Sequence, residues 1–232
     1  MRPGAPGTDL VLVATPFERR QLDERGGFPG CRTEICGFGP VSAAAHAARL
    51  VTLLSPRRVL LVGIAGTFAP ARAEVGSACT FARVRLDGVG VGSGPGFTPP
   101  SQIGLPQWEG GAGERIEETL EIAGGGTGEL LTVCAASASP EEAAARSRRY
   151  PEAVAEDMEG FAVALACRRS DVPVAVVRGI SNVAGDRAAK RWRWEEALAA
   201  CRDALDVWIA RQVAQDGGRE RRRATRRSEG RR

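Results

Sequence analysis

Four short apolar runs alternate with helical patterns along the chain, and this alternation limits the possible fold more than any other feature. The runs are rich in Val, Leu and Ile and too short for isolated helices, as expected of strands covered on both faces; they lie at residues 9–15, 58–65, 129–136 and 172–180. Helical spacing of apolar residues occurs at 41–54, 140–150, 158–169 and 193–212. The alternation predicts an α/β fold, a single domain with a mixed, mainly parallel central sheet flanked by helices.

The last part of the chain differs in composition from the rest. Residues 217–232 contain eight arginines and two glutamates, a net charge of +6, whereas the whole chain carries +4. The preceding residues are therefore slightly acidic, and a solvated tail is favoured over a nucleic-acid-binding arm. We expect a flexible N-terminus at residues 1–8, one folded domain at 9–214 and a disordered arginine-rich tail at 215–232.

The six cysteines are dispersed, lie mostly in apolar stretches and form no CxxC pair. This distribution indicates small core side chains in a reducing compartment rather than a zinc or redox site. No charged segment followed by an apolar one opens the chain, and no run of 18 apolar residues occurs. We therefore expect a soluble cytoplasmic protein with no membrane contact, no metal and no cofactor.

Candidate site residues follow three of the predicted strands, at the edge where ligands bind in open α/β sheets. Glu18 follows the first strand, the sequence GIAG ends the second at 63–66, and Arg178 and Asn182 end the last. Glu159 joins them if the helix that follows it begins at the same edge. Two carboxylates, an arginine and a carboxamide around one cleft predict an acid–base site.

Taken singly, these residues also have structural explanations. Glu18 is equally well explained as a first-turn acid on a surface helix, and Glu159 as a carboxylate that complements a helix N-terminus. Asn182 is typical of a turn that precedes a glycine. The functional interpretation therefore depends on the residues occurring together.

Two neighbouring stretches are more specific than any single residue. The sequence EDMEGFAVA (156–164) followed by VPVAVVRGISN (172–182) resembles the signature of the nucleoside phosphorylase and nucleosidase superfamily. The resemblance extends over most of residues 9–210 and includes the glycine turn GFGPVSAAAHAARL and the pattern GIAGTF. Within the superfamily, the MEGF and ISN motifs, followed by a charged segment and a tryptophan at 192 or 194, are most similar to those of the futalosine hydrolases.

This resemblance implies a nucleosidase that cleaves the N-glycosidic bond of futalosine, a step of menaquinone biosynthesis, and releases hypoxanthine and dehypoxanthine futalosine. It implies a small nucleoside as the partner, a homo-oligomeric catalytic domain and no cofactor. Glu18 would be the base that activates water, and Glu159 would accept hydrogen bonds from the ribose hydroxyls. Arg178 would help to place the water and the acid.

The resemblance also implies three substrate-binding positions. Met158 would pack beneath the ribose, and Ala65 and Gly66 would present backbone near the water. Ile64 stands where adenosine-processing relatives have a serine. One hydrogen bond to the water is therefore either missing or supplied elsewhere. The glycine-rich residues 86–113 are expected to shape the pocket for the carboxyphenyl end of the substrate.

Asn182 bears on the choice of purine. Relatives that cleave adenine nucleosides have an aspartate at this position, whereas an asparagine NH₂ supplies two donors without charge. Hypoxanthine presents two acceptors, ring nitrogen 7 and the 6-oxo group, on the corresponding edge. Asn182 therefore favours a hypoxanthine nucleoside.

Several alternatives stay open at this point. The chain could be another purine nucleosidase, acting on methylthioadenosine, S-adenosylhomocysteine or aminofutalosine. Arg19 and Arg20 keep a phosphate-using nucleoside phosphorylase possible, although Glu18 beside them would repel phosphate. A dinucleotide-binding protein is a distant alternative, because GFGPVS (37–42) lacks the third glycine and the acidic residue of that motif. His46, the only histidine, is expected to be a packing or surface residue.

Overall fold

A nine-stranded sheet forms the centre of the fold in the computed structural model, which describes residues 7–111, 113–122 and 126–210. Residues 1–6 of the predicted flexible N-terminus, and the whole predicted tail at 215–232, lie outside the described residues. Two further strands, β6 and β7, form a separate hairpin. In chain order the strands are β1 (Asp9–Val13), β2 (Cys31–Ile35), β3 (Val59–Thr67), β4 (Ala78–Thr80), β5 (Arg83–Leu86), β6 (Trp108–Glu109), β7 (Arg115–Ile116), β8 (Thr119–Glu121), β9 (Glu129–Thr132), β10 (Ala153–Asp157) and β11 (Val174–Val183).

The sheet is mixed and mainly parallel, as predicted. Its order is β2-β1-β3-β10-β9-β5-β8, and β11 pairs with β3 along nearly the whole length of both strands. The pairs β1–β2, β1–β3, β3–β11, β9–β10 and β5–β9 are parallel. The pairs β3–β10, β5–β8 and β4–β11 are antiparallel.

Helices lie between the strands in the order that the sequence pattern predicts. Thr15 and Ser139 accept hydrogen bonds from the first turns of the helices that follow them, and proline occupies the start of several helices, where its missing N–H costs nothing. The helices are α1 (Pro16–Glu24), α2 (Pro40–Leu54), α3 (Pro100–Ile103), α4 (Pro140–Arg149), α5 (Gly160–Arg168) and α6, which covers the described residues 194–210, with 3₁₀ turns at Gly94–Gly96 and Ala189–Arg191.

Both faces of the sheet are covered. Along β3, Val59 and Leu61 belong to the core cluster that includes α2 and α5, whereas Leu60 and Val62 belong to the cluster on the other face, which includes α6. Because both faces of β3 are buried, its sequence is a continuous apolar run rather than an alternation of apolar and polar residues. Among the described ranges, no helix is both long and apolar enough to cross a membrane.

The predicted strands and helices are all present, but the sequence pattern missed several elements. The most important is β10, whose sequence AVAED ends in two carboxylates that occupy a fully buried strand. β2 was missed because its polar sequence, CRTEI, lies at the edge of the sheet and is only half-buried. The described residues of 86–113 contain only short elements, in agreement with their glycine and proline content.

The arrangement of three strands defines one end of the sheet. The register between β3 and β11 shifts between Ile180 and Asn182, so that Asn182 lies opposite Gly66. β10 runs antiparallel to the end of β3 and places Glu156 opposite the same Gly66. The residues that follow β10 therefore meet the carboxyl ends of β3 and β11.

Candidate active site

A cavity of about 480 Å³ opens at this end of the sheet. Six of the seven residues predicted for the site line it: Glu18, Ala65, Gly66, Met158, Glu159 and Asn182. Arg178, the seventh, does not line the cavity, because it is completely buried directly behind it. The fold thus brings together residues from four separate parts of the chain.

Glu18 is held at the cavity by the start of α1. Its Oε2 accepts hydrogen bonds from the backbone N–H of Thr15 at 3.0 Å and from the Thr15 hydroxyl at 2.8 Å. Its Oε1 accepts from the backbone N–H of Ile64 at 3.3 Å. Glu18 is therefore part of a capping box, as the structural explanation expected, but its carboxylate is buried and turned toward the end of β3.

Glu159 stands immediately before α5 and is also buried. Its Oε1 accepts from the backbone N–H of Gly39 at 2.9 Å, and its Oε2 accepts from Nη2 of Arg178 at 3.1 Å. The glycine turn that precedes α2 therefore orients a carboxylate. Each oxygen of Glu159 retains one acceptor position.

Arg178 carries a positive charge into a site with no exposure to solvent. Its Nε and Nη2 donate to Oδ2 of Asp157 at 2.9 and 2.6 Å, in addition to the bond with Glu159. Burial alone would lower the pKa of Arg178, but the carboxylates around it raise the pKa above its usual range. The guanidinium is therefore permanently charged and fixed in position.

Asp157 is the residue on which this arrangement rests, and the sequence analysis did not identify it. Besides Arg178, its Oδ2 accepts from the backbone N–H of Gly160 at 2.7 Å, and its Oδ1 accepts from the hydroxyl of Thr132 at 2.7 Å. Its position directly before the Met-Glu motif is the signal that could have revealed it. Using that signal would have required the prediction that β10 is a buried strand.

The third nitrogen of Arg178 points toward Glu18. Among the described residues, its Nη1 has no hydrogen-bond partner although it is buried. A Cβ at Gly63 would overlap this Nη1 and would lie 2.8 Å from Oε1 of Glu18. Gly63 therefore leaves open the space that the guanidinium and the carboxylate share.

Asn182 lines the cavity, but its NH₂ donates to backbone carbonyls instead of being free for the edge of a purine, as its sequence position had suggested. Nδ2 donates to the backbone carbonyls of Val183 at 2.8 Å and Asp186 at 3.4 Å, and Oδ1 accepts from the hydroxyl of Ser181 at 2.8 Å. The opposite orientation would place the amide oxygen against two carbonyls, so this orientation is the one its neighbours support. Only the longer of the two NH₂ contacts is readily exchanged for a ligand.

Aromatic side chains form the outer part of the cavity. Phe17 and Trp194 meet edge to face with ring centroids 5.0 Å apart, and the guanidinium of Arg187 lies 5.2 Å from the ring of Trp192. Phe38 also lines the cavity and is 67% exposed. Both tryptophans that follow the ISN motif, Trp192 and Trp194, therefore lie at the cavity.

Contrary to the expectation, none of the described residues of 86–113 lines this cavity; several of them, including Phe97 and Ser101, line a separate cavity of about 380 Å³ beside Tyr150. The physical reason is the position of β5 near the far edge of the sheet, from which this segment continues. His46 is exposed on α2, as expected.

The electrostatic balance of the site is unusual for buried groups. Burial is the main cause that raises the pKa of Glu159, to about 7; the charges of Asp157 and Glu18 add to the effect, while Arg178 and the Gly39 N–H oppose it. One arginine is thus shared among more carboxylates than it can neutralise. Because of this excess negative charge and its burial, Glu159 is the group of the site that binds a proton near neutral pH.

Comparison with known proteins agrees with this arrangement. Residues 31–213 match the family model of the phosphorylase superfamily. A futalosine hydrolase of Streptomyces coelicolor is 36% identical over 212 residues, which cover 87% of this chain and 85% of that protein. A futalosine hydrolase of Thermus thermophilus is 34% identical, with coverage of 80% and 82%. The structure of futalosine hydrolase from Helicobacter pylori shares the fold, with a TM-score of 0.70 at 16% identity over 88% of this chain and 98% of that one.

The raised pKa of Glu159 predicts a pH-dependent stability. Between its ordinary pKa of 4.5 and about 7, the folded protein binds a proton that the unfolded chain has released, so this group stabilises the fold at low pH and the contribution is lost as pH rises through 7. From pH 5 to pH 8, we expect the wild type to lose on the order of 1–3 kcal/mol of unfolding free energy relative to Glu159→Gln. Urea unfolding of both proteins at several pH values measures the difference, and parallel curves would contradict the assignment.

Proposed function

The chain belongs to the phosphorylase superfamily and is a hydrolase acting on N-glycosyl compounds, and we propose that its substrate is futalosine. Hydrolysis would release hypoxanthine and leave dehypoxanthine futalosine, a step of menaquinone biosynthesis. The observation that carries this proposal is the similarity to futalosine hydrolases over 87% of the chain. It is supported by the single cavity in which the two carboxylates meet.

Glu159 is proposed to bind the ribose. As the bond from the sugar to the purine breaks, positive charge develops on the ribose ring, and a carboxylate beside the ring stabilises it. The two acceptor positions that Glu159 retains match the two neighbouring hydroxyls of a ribose. Met158 lines the same cavity and would pack against the sugar.

Glu18 and Arg178 are proposed to position and activate the attacking water. An attacking water in the cavity would donate a hydrogen bond to the carboxylate of Glu18, which lines the cavity, while Arg178, buried behind the cavity, supplies a fixed positive charge. In the reaction, the water oxygen bonds to the anomeric carbon while one of its protons passes to Glu18. Ala65 and Gly66 would present backbone nearby.

The purine is proposed to lie toward Asn182. It leaves with the electron pair of the broken glycosidic bond, and hydrogen bonds to its ring nitrogens stabilise the charge that it gains. The longer NH₂ contact of Asn182, at 3.4 Å to Asp186, is the one that would be exchanged for a bond to the purine. Asn182 would thus supply one donor, fewer than the two that its chemistry allows.

Hydrolysis is favoured over phosphorolysis by the charges around the cavity. A phosphate dianion requires several donors or cations. Among the described residues that line the cavity, the one cationic side chain is Arg187, which is exposed and stacks on Trp192. Arg19 pairs with Asp23 on the outer surface of α1, and neither it nor Arg20 lines the cavity.

We also propose that the protein acts as a homo-oligomer in the cytoplasm. Phe38 and Val41, at the start of α2, are 67% and 83% exposed. Exposed large apolar side chains are typical of surfaces that associate. Sedimentation of the purified protein would test this part of the proposal.

The purified protein is expected to release hypoxanthine from futalosine in buffer that contains no phosphate. Chromatography of the products, with and without added phosphate, measures the reaction directly. Equal rates in the two buffers are expected, because the proposed nucleophile is water. Formation of a ribose 1-phosphate product only when phosphate is present would instead establish phosphorolysis. Turnover of methylthioadenosine or aminofutalosine in preference to futalosine would assign a different nucleosidase, and no turnover of any nucleoside would indicate a binding protein.

Glu18→Gln is expected to lower kcat by about 10²-fold or more, because positioned proton transfer contributes roughly 10²–10⁴ to the rate. The amide retains the shape of the carboxylate and can still accept the hydrogen bonds of Thr15, so the fold is expected to survive. Glu24→Gln, on the exposed side of the same helix, is the matched control. A folded Glu18→Gln enzyme with a rate close to that of the control would rule out Glu18 as the base.

A further inference from the structure

Glu156 is a buried carboxylate at the cavity that the proposed mechanism does not use. It is 5% exposed and lines the cavity together with Ala136 and Asn182. The next residue along β10, Asp157, contacts Arg178 on one side of the strand, whereas the Glu156 side chain contacts Ser137 and Arg146 on the other. Glu156 is therefore separate from the cluster that is proposed to bind ribose and water.

The protein holds the Glu156 carboxylate in a fixed orientation. Its Oε1 accepts from the backbone N–H of Ser137 at 2.8 Å. Its Oε2 accepts from the Ser137 hydroxyl at 2.8 Å and from Nη1 of Arg146 at 3.1 Å. All these partners donate hydrogen bonds, and Arg146 places a positive charge beside the carboxylate.

This arrangement leaves Glu156 with acceptor capacity and nothing to donate. An ionised carboxylate has about four acceptor positions, and the three contacts occupy two on Oε2 and one on Oε1. The remaining position on Oε1 suits a ligand N–H. A ligand atom that itself carries a lone pair would be repelled there.

A 6-oxopurine and a 6-aminopurine differ in whether ring nitrogen 1 can donate a hydrogen bond. Ring nitrogen 1 of a 6-oxopurine such as hypoxanthine carries a hydrogen, whereas ring nitrogen 1 of adenine carries a lone pair. Asn182 discriminates weakly in the observed orientation, because its NH₂ already donates to the carbonyls of Val183 and Asp186. To distinguish a hydrogen on ring nitrogen 1 from a lone pair, the protein needs a fixed hydrogen-bond acceptor in the part of the cavity where the purine binds.

We propose that Glu156 is the residue that determines purine specificity, by accepting the N1–H of a 6-oxopurine and repelling ring nitrogen 1 of a 6-aminopurine. The inference rests on the proposed function, because it assumes that a purine occupies the side of the cavity lined by Glu156 and Asn182. Ser137 and Arg146 position the carboxylate. Mismatched buried polar groups give strong discrimination because they leave both partners unpaired.

Glu156→Gln tests the proposal. Arg146 is expected to hold the amide oxygen on the Oε2 side, which places the NH₂ on the Oε1 side, where the spare acceptor position was. The ratio of kcat/KM for futalosine to that for its 6-amino counterpart should fall by about 10-fold or more, and the ratio of hypoxanthine to adenine affinity, measured by calorimetry, should fall with it. Equal losses for both purines would show that Glu156 is only a structural support, and would overturn the proposal.

Glu129→Gln is the matched control. Glu129 is a buried carboxylate on the neighbouring strand β9, where it pairs with Arg83 and Arg85 and does not line this cavity. The control should leave both ratios unchanged even if it lowers stability; a shift equal to that of Glu156→Gln would also count against the assignment.

A second measurement needs no variant and covers the case in which Glu156→Gln does not fold. Wild-type protein should bind 1-methylhypoxanthine, which lacks the N1–H, at least 10-fold more weakly than hypoxanthine; equal binding, or binding of neither base, would overturn the proposal. The two hypotheses fail separately. Futalosine hydrolysis with unchanged ratios in Glu156→Gln contradicts only the role of Glu156, whereas a base preference without futalosine hydrolysis contradicts only the proposed substrate.

Discussion

The charge of Arg178 is the constraint on which the rest of the site depends. A guanidinium with no exposure to solvent is stable only if carboxylates and hydrogen bonds replace the water that it has lost. Asp157 and Glu159 provide them, and Thr132 and the Gly160 N–H fix Asp157 in turn. The ion pairs therefore do more than neutralise a charge. They connect β9, β10, β11 and the start of α5 at the floor of the cavity.

The sheet makes this arrangement possible through backbone geometry. Gly63 leaves room between Arg178 and Glu18, and the register shift after Ile180 places Asn182 opposite Gly66. Because successive side chains of a β-strand point to opposite faces, neighbouring residues at the end of β10 have different surroundings. Asp157 contacts Arg178 on the side proposed for ribose and water, and Glu156 lies on the side proposed for the purine.

The sequence predicted the fold better than it predicted the details of the site. Continuous apolar runs such as that of β3 identify strands covered on both faces, and the strand–helix alternation then leaves few alternatives. Local motifs also placed Glu18 and Glu159 at one edge. They could not reveal that Gly39 orients Glu159, since the two residues are 120 positions apart. Nor could they show that the Asn182 NH₂ donates to the backbone carbonyls of Val183 and Asp186, because that depends on the turn that follows.

The central claim is that Glu18 activates the attacking water next to the fixed charge of Arg178, an arrangement that depends on the close approach of both side chains to Gly63. Gly63→Ala tests it most directly, because the added methyl group would overlap Nη1 of Arg178 and force the guanidinium and Glu18 to move without removing either charge. The account predicts a loss in kcat of about 10²-fold or more, with hypoxanthine affinity nearly unchanged. Gly111→Ala, where a Cβ meets no atom within 4 Å, is the control for the substitution itself. A folded Gly63→Ala enzyme with a kcat close to that of this control would contradict the account.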